Sequence, residues 1–264
     1  NRSTIKAELD MDKLSISILG FDSTSRSQFA RHMPRSFALM KELGFITLLG
    51  YNKVGENSNP NLTPILAEPL EDAEEYDELD EFKDVNILRI LPQKKNIGAD
   101  TIKFLWKKME ARGCESVFND DIMHTSRGLF HYPSPTFKGG FQNSPPIHYY
   151  RPYYVHHYRK LANNYKFCDD DKKCSFSFSF NTHLTHDIAN NLEMADEALY
   201  DRLSRIRDSG VLNHTVLIIM GDHGQRIGII RYALAGKIES RTPLMSIRLP
   251  DGFIKKHPEA YQNL

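Results

Sequence analysis

Seven residues of this chain have side chains whose types can act together in chemistry: Asp22, Ser58, His183, His186, Asp187, Asp222 and His223. Each follows a stretch that reads as a β-strand, and Ser58 lies in the loop after its strand. Carboxylates supply hard oxygen donors and imidazoles supply nitrogen, a mixture that zinc or manganese accepts. A hydroxyl held against such a cation loses its proton more readily and becomes a nucleophile near neutral pH. Taken singly, each residue has an ordinary structural reading. An Asp ending a strand is often a helix cap, and Ser23, Thr24 and Ser25 can serve as caps too. Asp-His-Gly occurs in many turns, and a lone His is more often structural than a ligand. The set stands out because it recurs at equivalent ends of successive strands, where open α/β sheets bind their ligands.

The elements that must position these residues follow from periodicity. Leu14 to Asp22 reads as a buried strand ending in a carboxylate. Ser25 to Gly44 reads as a helix, with Phe29, Met33, Phe37, Met40 and Leu43 at helical spacing and Pro34 kinking or splitting it. Phe45 to Val54 predicts a second strand, followed by a turn-rich loop, Gly55 to Asn61. Gly98 to Arg112 predicts a helix with Ile102, Leu105, Trp106 and Met109 on one face, and Glu115 to Asp121 a short strand ending in acids. His124 to Asn164, rich in Pro, Tyr and His, reads as an irregular region covering one side. Cys174 to Phe180 alternates Ser and Phe, a strand. Ala189 to Gly210 predicts a helix with Leu192, Ala195, Leu199, Leu203 and Ile206 inward. Thr215 to Met220 is an apolar strand leading into Gly221-Asp222-His223-Gly224, and Pro243 to Leu249 predicts another strand. Strands alternating with helices predict a mainly parallel sheet covered on both faces.

The 264 residues carry 34 basic and 34 acidic side chains, so the basic surplus of a nucleic-acid-binding domain is missing. No run reaches the length of apolar residues that a membrane span needs. Ten of the seventeen residues from Glu68 to Asp84 are acidic. Without EF-hand spacing, that run reads as a solvated, mobile excursion (68–97) rather than a calcium site. Of the three cysteines, Cys168 and Cys174 bracket a polar loop that a disulfide can close, or stand as free thiols. Cys114 reads as a small buried apolar residue. Asn1-Arg-Ser3, Asn213-His-Thr215 and, less well, Asn61-Leu-Thr63 are glycosylation tripeptides that point toward a secreted or lumenal glycoprotein. The polar start without Met is read as an internal piece of a longer protein.

Gly20-Phe21-Asp22-Ser23-Thr24-Ser25-Arg26, Tyr51 to Leu62 and Gly221-Asp222-His223-Gly224-Gln225-Arg226 resemble the DUF229 family of the alkaline phosphatase and sulfatase superfamily. Phe141, Tyr150-Arg151-Pro152, Thr185-His186-Asp187 and Glu239-Ser240-Arg241-Thr242-Pro243-Leu244 extend the resemblance over nearly the whole chain. It implies one alkaline phosphatase-like domain, a three-layer α/β sandwich with a central, mostly parallel sheet, and metal-assisted displacement at phosphorus or sulfur. It implies Asp22, Asp222 and His223 as metal ligands and Ser58 as nucleophile and fourth ligand, at a position where relatives usually carry Thr. His183, His186 and Asp187 then hold a second metal or bind the substrate's anionic group. Asn57, Asn59, Lys53 and Arg226 are candidates for substrate binding. The implied cofactor is one or two divalent ions, Zn2+ first, with Mn2+ or Ca2+ as alternatives.

Two departures bear on activity. Sulfatases need Cys/Ser-x-Pro-x-Arg, and here Ser58-Asn59-Pro60-Asn61-Leu62 has Leu in place of that Arg. The chain also stops soon after Leu244 to Pro250, where superfamily enzymes usually continue, so a carboxyl-terminal truncation is expected. The expected function is a metal-dependent hydrolase or phosphotransferase acting on phosphate esters, glycan- or lipid-linked among them, outside the cytosol. The competing readings are a non-catalytic domain that binds a glycan or protein partner and, behind it, a sulfatase.

Overall fold

The structure is a computed structural model, and it describes residues 14–68, 97–124, 127–131, 137–157 and 174–264. Residues 69–96, which hold the acidic run after Glu68, and Cys168 therefore lie outside the described residues. The strands are β1 (Ser15–Phe21), β2 (Ile46–Thr47), β3 (Ile97–Gly98), β4 (Glu115–Asp120), β5 (Phe137–Lys138), β6 (His148–Tyr149), β7 (Ser175–Asn181), β8 (Thr215–Gly221) and β9 (Met245–Arg248). The α-helices are α1 (Arg26–His32), α2 (Pro34–Glu42), α3 (Ser58–Leu66), α4 (Leu105–Ala111), α5 (Arg151–His157), α6 (Asp196–Ser209), α7 (Leu234–Arg241), α8 (Asp251–Lys256) and α9 (Pro258–Gln262). Seven strands form one sheet in the order β2-β9-β8-β1-β7-β4-β6, and β3 pairs with β5 in a separate two-stranded sheet. Strands β8, β1, β7, β4 and β6 run parallel, while β9 and β2 add an antiparallel edge.

Alternation along the central strands divides the core between the two faces. On β1, Ile16 and Ile18 face one cluster while Leu19 and Phe21 face the other. Strand β8 does the same with Ile218 and Met220 against Leu217 and Ile219. The first cluster joins Phe176, Phe178 and Phe180 of β7 to Phe118, Phe104 and Trp106. The second packs α1, α2 and α6 through Phe29, Met33, Leu39, Met40, Leu199 and Leu203. A three-layer sandwich results, as the residue pattern predicts.

Several boundaries differ from those expectations. Pro34 splits the first helix: Met33 caps α1, and Pro34 opens α2 at a position where its missing N–H costs nothing. Gly44, at φ +79°, ends the second piece. The strand expected at Phe45 to Val54 shrinks to Ile46–Thr47, because Lys53 donates instead to the Arg241 carbonyl (3.1 Å) and the chain turns toward α7. Ile102 is buried but precedes the helix, which starts only at Leu105 after a 3-10 turn, Ala99–Thr101. A 3-10 turn, Ala189–Ala195, likewise precedes α6. Of the glycosylation tripeptides, Asn213 is exposed, whereas the Asn61 amide is buried in four hydrogen bonds with the 54–57 backbone. Asn61 is thereby unavailable to a glycan.

The cysteine reading is corrected as well: Cys114 and Cys174 form a disulfide, joining residues 60 apart in sequence. Both cysteines lie at the start of neighbouring parallel strands, where Glu115 N–H also bonds to the Cys174 carbonyl. A loop of that length loses roughly 4 kcal/mol of closure freedom in the unfolded chain when cross-linked. Denaturant titration of Cys114→Ser/Cys174→Ser is expected to show a loss of about 2–5 kcal/mol. An unchanged midpoint would contradict the cross-link.

At the far edge of the sheet, the His131 ring donates from Nδ1 to the Leu129 carbonyl (2.7 Å) and accepts at Nε2 from the Tyr149 hydroxyl (2.8 Å). Burial, reinforced by the charge of Arg151, pushes His131 down to about 4. Between the ordinary histidine value and 4 the unfolded chain binds a proton that the folded chain refuses. The contribution is therefore fully present above about pH 6.5 and is lost as pH falls toward 4. Allowing for partial exposure of the ring, it amounts to about 1–2 kcal/mol. His131→Gln should flatten the decline in unfolding free energy between pH 7 and pH 4; parallel curves for the two proteins would contradict this.

Candidate metal centre

Parallel register brings the three principal donors together. Phe21 of β1 pairs with Gly221 of β8, so the next residue on each strand, Asp22 and Asp222, emerges at the same carboxyl edge. His223 follows. One ligand atom from each of Asp22, Asp222 and His223 falls within 4.8 Å of the others, and all three side chains are buried.

The local backbone is built for this convergence. Ser23 adopts φ +56° and donates its N–H to Asp222 Oδ1 (3.0 Å) and its hydroxyl to Asp22 Oδ1 (2.7 Å), pinning one carboxylate to the other. The cap of α1 is Ser25, whose Oγ accepts from the Gln28 N–H. A Cβ on Gly221 would stand 2.1 Å from the Thr24 carbonyl oxygen, and one on Gly224 2.0 Å from that of Glu239. Only glycine permits either approach. Glu239 is itself held by Arg31 (2.7 and 2.9 Å) and Ser25 (3.3 Å). The segment Glu239 to Leu244 is thus the floor on which the ligand loop rests.

The electrostatics of the cluster call for a cation. His223 donates from Nδ1 to the Gly224 carbonyl (2.9 Å), leaving an Nε2 lone pair facing Asp222 Oδ2 at 3.3 Å and Asp22 Oδ1 at 4.0 Å. Neither His223 Nε2 nor Asp222 Oδ2 has a hydrogen-bond partner, although both are buried. Burial drives the His223 pKa down and so favours the ring's neutral, ligating form. Burial, followed by the charge of Asp222, holds Asp22 well above the usual carboxylate range. An acceptor-only cage of this kind is costly unless positive charge occupies it. The residues present fit a divalent cation.

The remaining predicted residues fall into three groups. Ser58 is not in a loop but is the first residue of α3, half-buried, because Asn61 gathers the preceding turn and Pro60 is tolerated in a first helical turn. Asn57 and Arg226 join that turn to the ligand loop: Arg226 Nη1 donates to Asn57 Oδ1 at 2.8 Å. Lys53 is engaged with Glu56 (2.5 Å) and Ser240 (3.1 Å), and Asn59 Oδ1 accepts from the Phe130 N–H (3.2 Å). His183, His186 and Asp187 stay outside the 4.8 Å donor group; His186 bonds to Asp187 at 2.7 Å.

Two residues near the site were not singled out from sequence. Asp121, just past β4, accepts the N–H groups of Thr182 (2.7 Å) and His183 (3.2 Å), and its charge reaches Asp22. The acids closing that predicted strand were its signal. Tyr51 is pushed up to about 12 by burial and then by the charge of Asp222; it opens the Tyr51 to Leu62 motif, which by itself assigns it no role.

The match to known families decides the relationship. The family described as "Protein of unknown function (DUF229)" matches residues 2–173 and 165–264. The chain belongs to the DUF229 family. No curated protein matches it in sequence. Solved structures share its fold at low identity. The Zn complex of the C-terminal periplasmic domain of EcEptC from Escherichia coli is 13% identical with a TM-score of 0.50, over 93% of this chain and 75% of that one. The lipoteichoic acid synthase LtaP from Listeria monocytogenes is 11% identical with a TM-score of 0.52, over 90% and 66%. An alkaline phosphatase superfamily protein from Vibrio parahaemolyticus is 12% identical with a TM-score of 0.50, over 90% and 60%. This DUF229 chain therefore has the alkaline phosphatase-like fold, as its motifs imply. Within it, the family residue Arg151 ties the backbone together. Its guanidinium donates to the carbonyls of Ile122, His124 and Arg127 and lies 3.6 Å from buried Asp120.

Proposed function

We propose that this DUF229 chain is a metal-dependent hydrolase or phosphotransferase that acts on phosphate esters through Ser58. The observation that carries this reading is the buried Asp22–Asp222–His223 cluster, with two acceptor atoms left unpartnered and aimed at one point. Two carboxylates and a neutral imidazole suit Zn2+, with Mn2+ next. A cation bound there supplies positive charge that lowers the pKa of an adjacent hydroxyl and draws off charge developing on a phosphoryl oxygen.

The chain's own residues do the rest. Ser58 Oγ attacks phosphorus in line; the Oγ–P bond forms as the bond from phosphorus to the ester oxygen breaks, and the alcohol leaves with a proton. Water then cleaves the phosphoseryl bond in a hydrolase, or an acceptor alcohol takes the phosphoryl group in a transferase. The amino end of α3, where Ser58 stands, favours negative charge. Asn57, tied to Arg226, fixes the approach to Ser58, and His183 or His186 binds non-bridging oxygens. Leu62 in place of the sulfatase Arg supports phosphate over sulfate. The periplasmic setting of the EptC domain and the Cys114–Cys174 disulfide support a location outside the cytosol, and no helix among the described residues is long and apolar enough to cross a membrane. The fold of a lipoteichoic acid synthase supports glycan- or lipid-linked phosphate esters as the substrate class.

Metal removal tests the proposal. Protein stripped with a chelator and reloaded with Zn2+, Mn2+ or Ca2+ is assayed on p-nitrophenyl phosphate, its diester and p-nitrophenyl sulfate. Turnover of a phosphate ester should vanish on stripping and return with Zn2+ or Mn2+. Absence of both bound metal and turnover would instead favour a binding module, and sulfate turnover a sulfatase.

A further inference from the structure

Four buried side-chain atoms of the ligand loop have no hydrogen-bond partner: Asp222 Oδ2, His223 Nε2, Gln225 Oε1 and Arg226 Nε. The first two belong to the donor cage, and a cation there satisfies them. Arg226 Nε differs, because it carries a proton and needs an acceptor. A buried donor left unpaired is costly. The rest of the guanidinium is anchored. Nη1 donates to Asn57 Oδ1 (2.8 Å), and Asn57 is the residue immediately before Ser58 at the start of α3. After burial and Asp222, the Arg226 charge also acts on both Asp22 and His223. Arg226 thus joins the cage to the turn that carries Ser58, with one N–H left to give.

An anion suits that N–H and that charge, and the balance of charge says which anion. The Asp22 and Asp222 carboxylates match the two charges of one divalent cation, and burial keeps His223 neutral. Lys53, whose charge also reaches His223, is committed to Glu56 (2.5 Å) and Ser240 (3.1 Å). Asp121 accepts the backbone N–H groups of Thr182 and His183 rather than a cation, and its charge reaches Asp22. A cage filled by its cation is neutral, and Arg226 brings one positive charge beside it. At pH 8 a phosphate monoester carries two negative charges, its second ionisation lying at about 6, whereas a diester carries one. The diester's charge matches that of Arg226, and a monoester's second charge is opposed by Asp121.

We propose that Arg226 donates through its Nε–H to a non-bridging oxygen of the bound ester and makes the site select singly charged phosphodiesters over doubly charged monoesters. The inference rests on the reading of Asp22, Asp222 and His223 as a cation site, and it narrows the substrate class of that site. Titration calorimetry of the Zn2+-loaded chain at pH 8, with dimethyl phosphate and methyl phosphate as probes, tests it without requiring either probe to react. Wild type should bind dimethyl phosphate several-fold more tightly than methyl phosphate. Arg226→Gln should weaken dimethyl phosphate binding at least ~10-fold. Arg226→Lys should recover part of that loss, since it restores the charge but not the Nε–H. Asp121→Asn should tighten methyl phosphate several-fold and leave dimethyl phosphate nearly unchanged. Bound zinc and melting temperature are measured for each variant; where Arg226→Gln loses either, the wild-type order and Asp121→Asn decide. Absence of dimethyl phosphate binding, tighter methyl phosphate binding by wild type, or equal dimethyl phosphate binding by wild type and Arg226→Gln would overturn the proposal. Turnover separates this inference from the reading beneath it. A higher kcat/KM for p-nitrophenyl phosphate than for its diester would leave Ser58 chemistry standing and sink the preference. The expected binding order without any turnover would instead count against Ser58 alone.

Discussion

Asp222→Asn is expected to release the cation and lower phosphoester turnover by about 10³-fold or more, equivalent to roughly 4 kcal/mol of transition-state stabilisation. The substitution keeps the shape of the side chain and an oxygen able to accept from the N–H groups of Ser23 (3.0 Å) and His223 (2.8 Å). It removes only the charge that would face the ion. Stability and metal binding should therefore separate. The stripped variant should melt close to stripped wild type, or above it, because Asp222 no longer repels the buried Asp22 carboxylate. Added metal at a hundredfold excess over its dissociation constant should stabilise wild type by about 2.7 kcal/mol and the variant by far less. Calorimetry with and without Zn2+ measures both quantities. Equal metal-induced shifts in the two proteins would exclude Asp222 as a ligand.

Ser58→Ala is expected to reduce turnover by at least about 10³-fold while the chain retains most of its metal. Asp22, Asp222 and His223 persist as donors, and Ser58 occupies a half-buried first helical turn where one oxygen contributes little to folding. Ser58→Thr preserves the hydroxyl and should restore measurable activity. That pairing distinguishes a nucleophile from a helix-terminal residue with only a structural part, since the structural role would make Thr and Ala similar. A Ser58→Ala protein as active as wild type would remove the covalent route, although the cation site would stand.

Much of this arrangement is legible in the residues because parallel strands obey simple register. Asp22 and Asp222 each close an apolar run, and once β1 and β8 pair as parallel neighbours the two carboxylates must meet at one edge. The Ser-Phe alternation of β7 states its pairing face directly: Phe176, Phe178 and Phe180 are buried while the serines between them are half-exposed. Pro34 likewise marks the helix break by its missing donor. Other features depend on contacts that no local pattern encodes. Cys114 meets Cys174 only because β7 inserts between β1 and β4, an order that the succession of elements along the chain does not reveal. Residues 48–54 have strand-like composition, yet Leu48 and Lys53 find their carbonyl partners at Met245 and Arg241. Ser23 looks like a helix cap and is instead the pin between two carboxylates, a role that needs its left-handed backbone. The grouping of Asp121 near Asp22 emerges only when strand ends from both sides of β7 are assembled.

The claim on which the rest stands is that a cation sits among three donors carried by two adjacent strand ends. Anomalous diffraction at the zinc edge, from crystals of the reloaded protein, tests it most directly. The account predicts one strong peak about 2.0–2.2 Å from an Asp22 oxygen, Asp222 Oδ2 and His223 Nε2. A well-ordered site with no peak there, or with the Asp22 carboxylate turned away from Asp222 and His223, would contradict it.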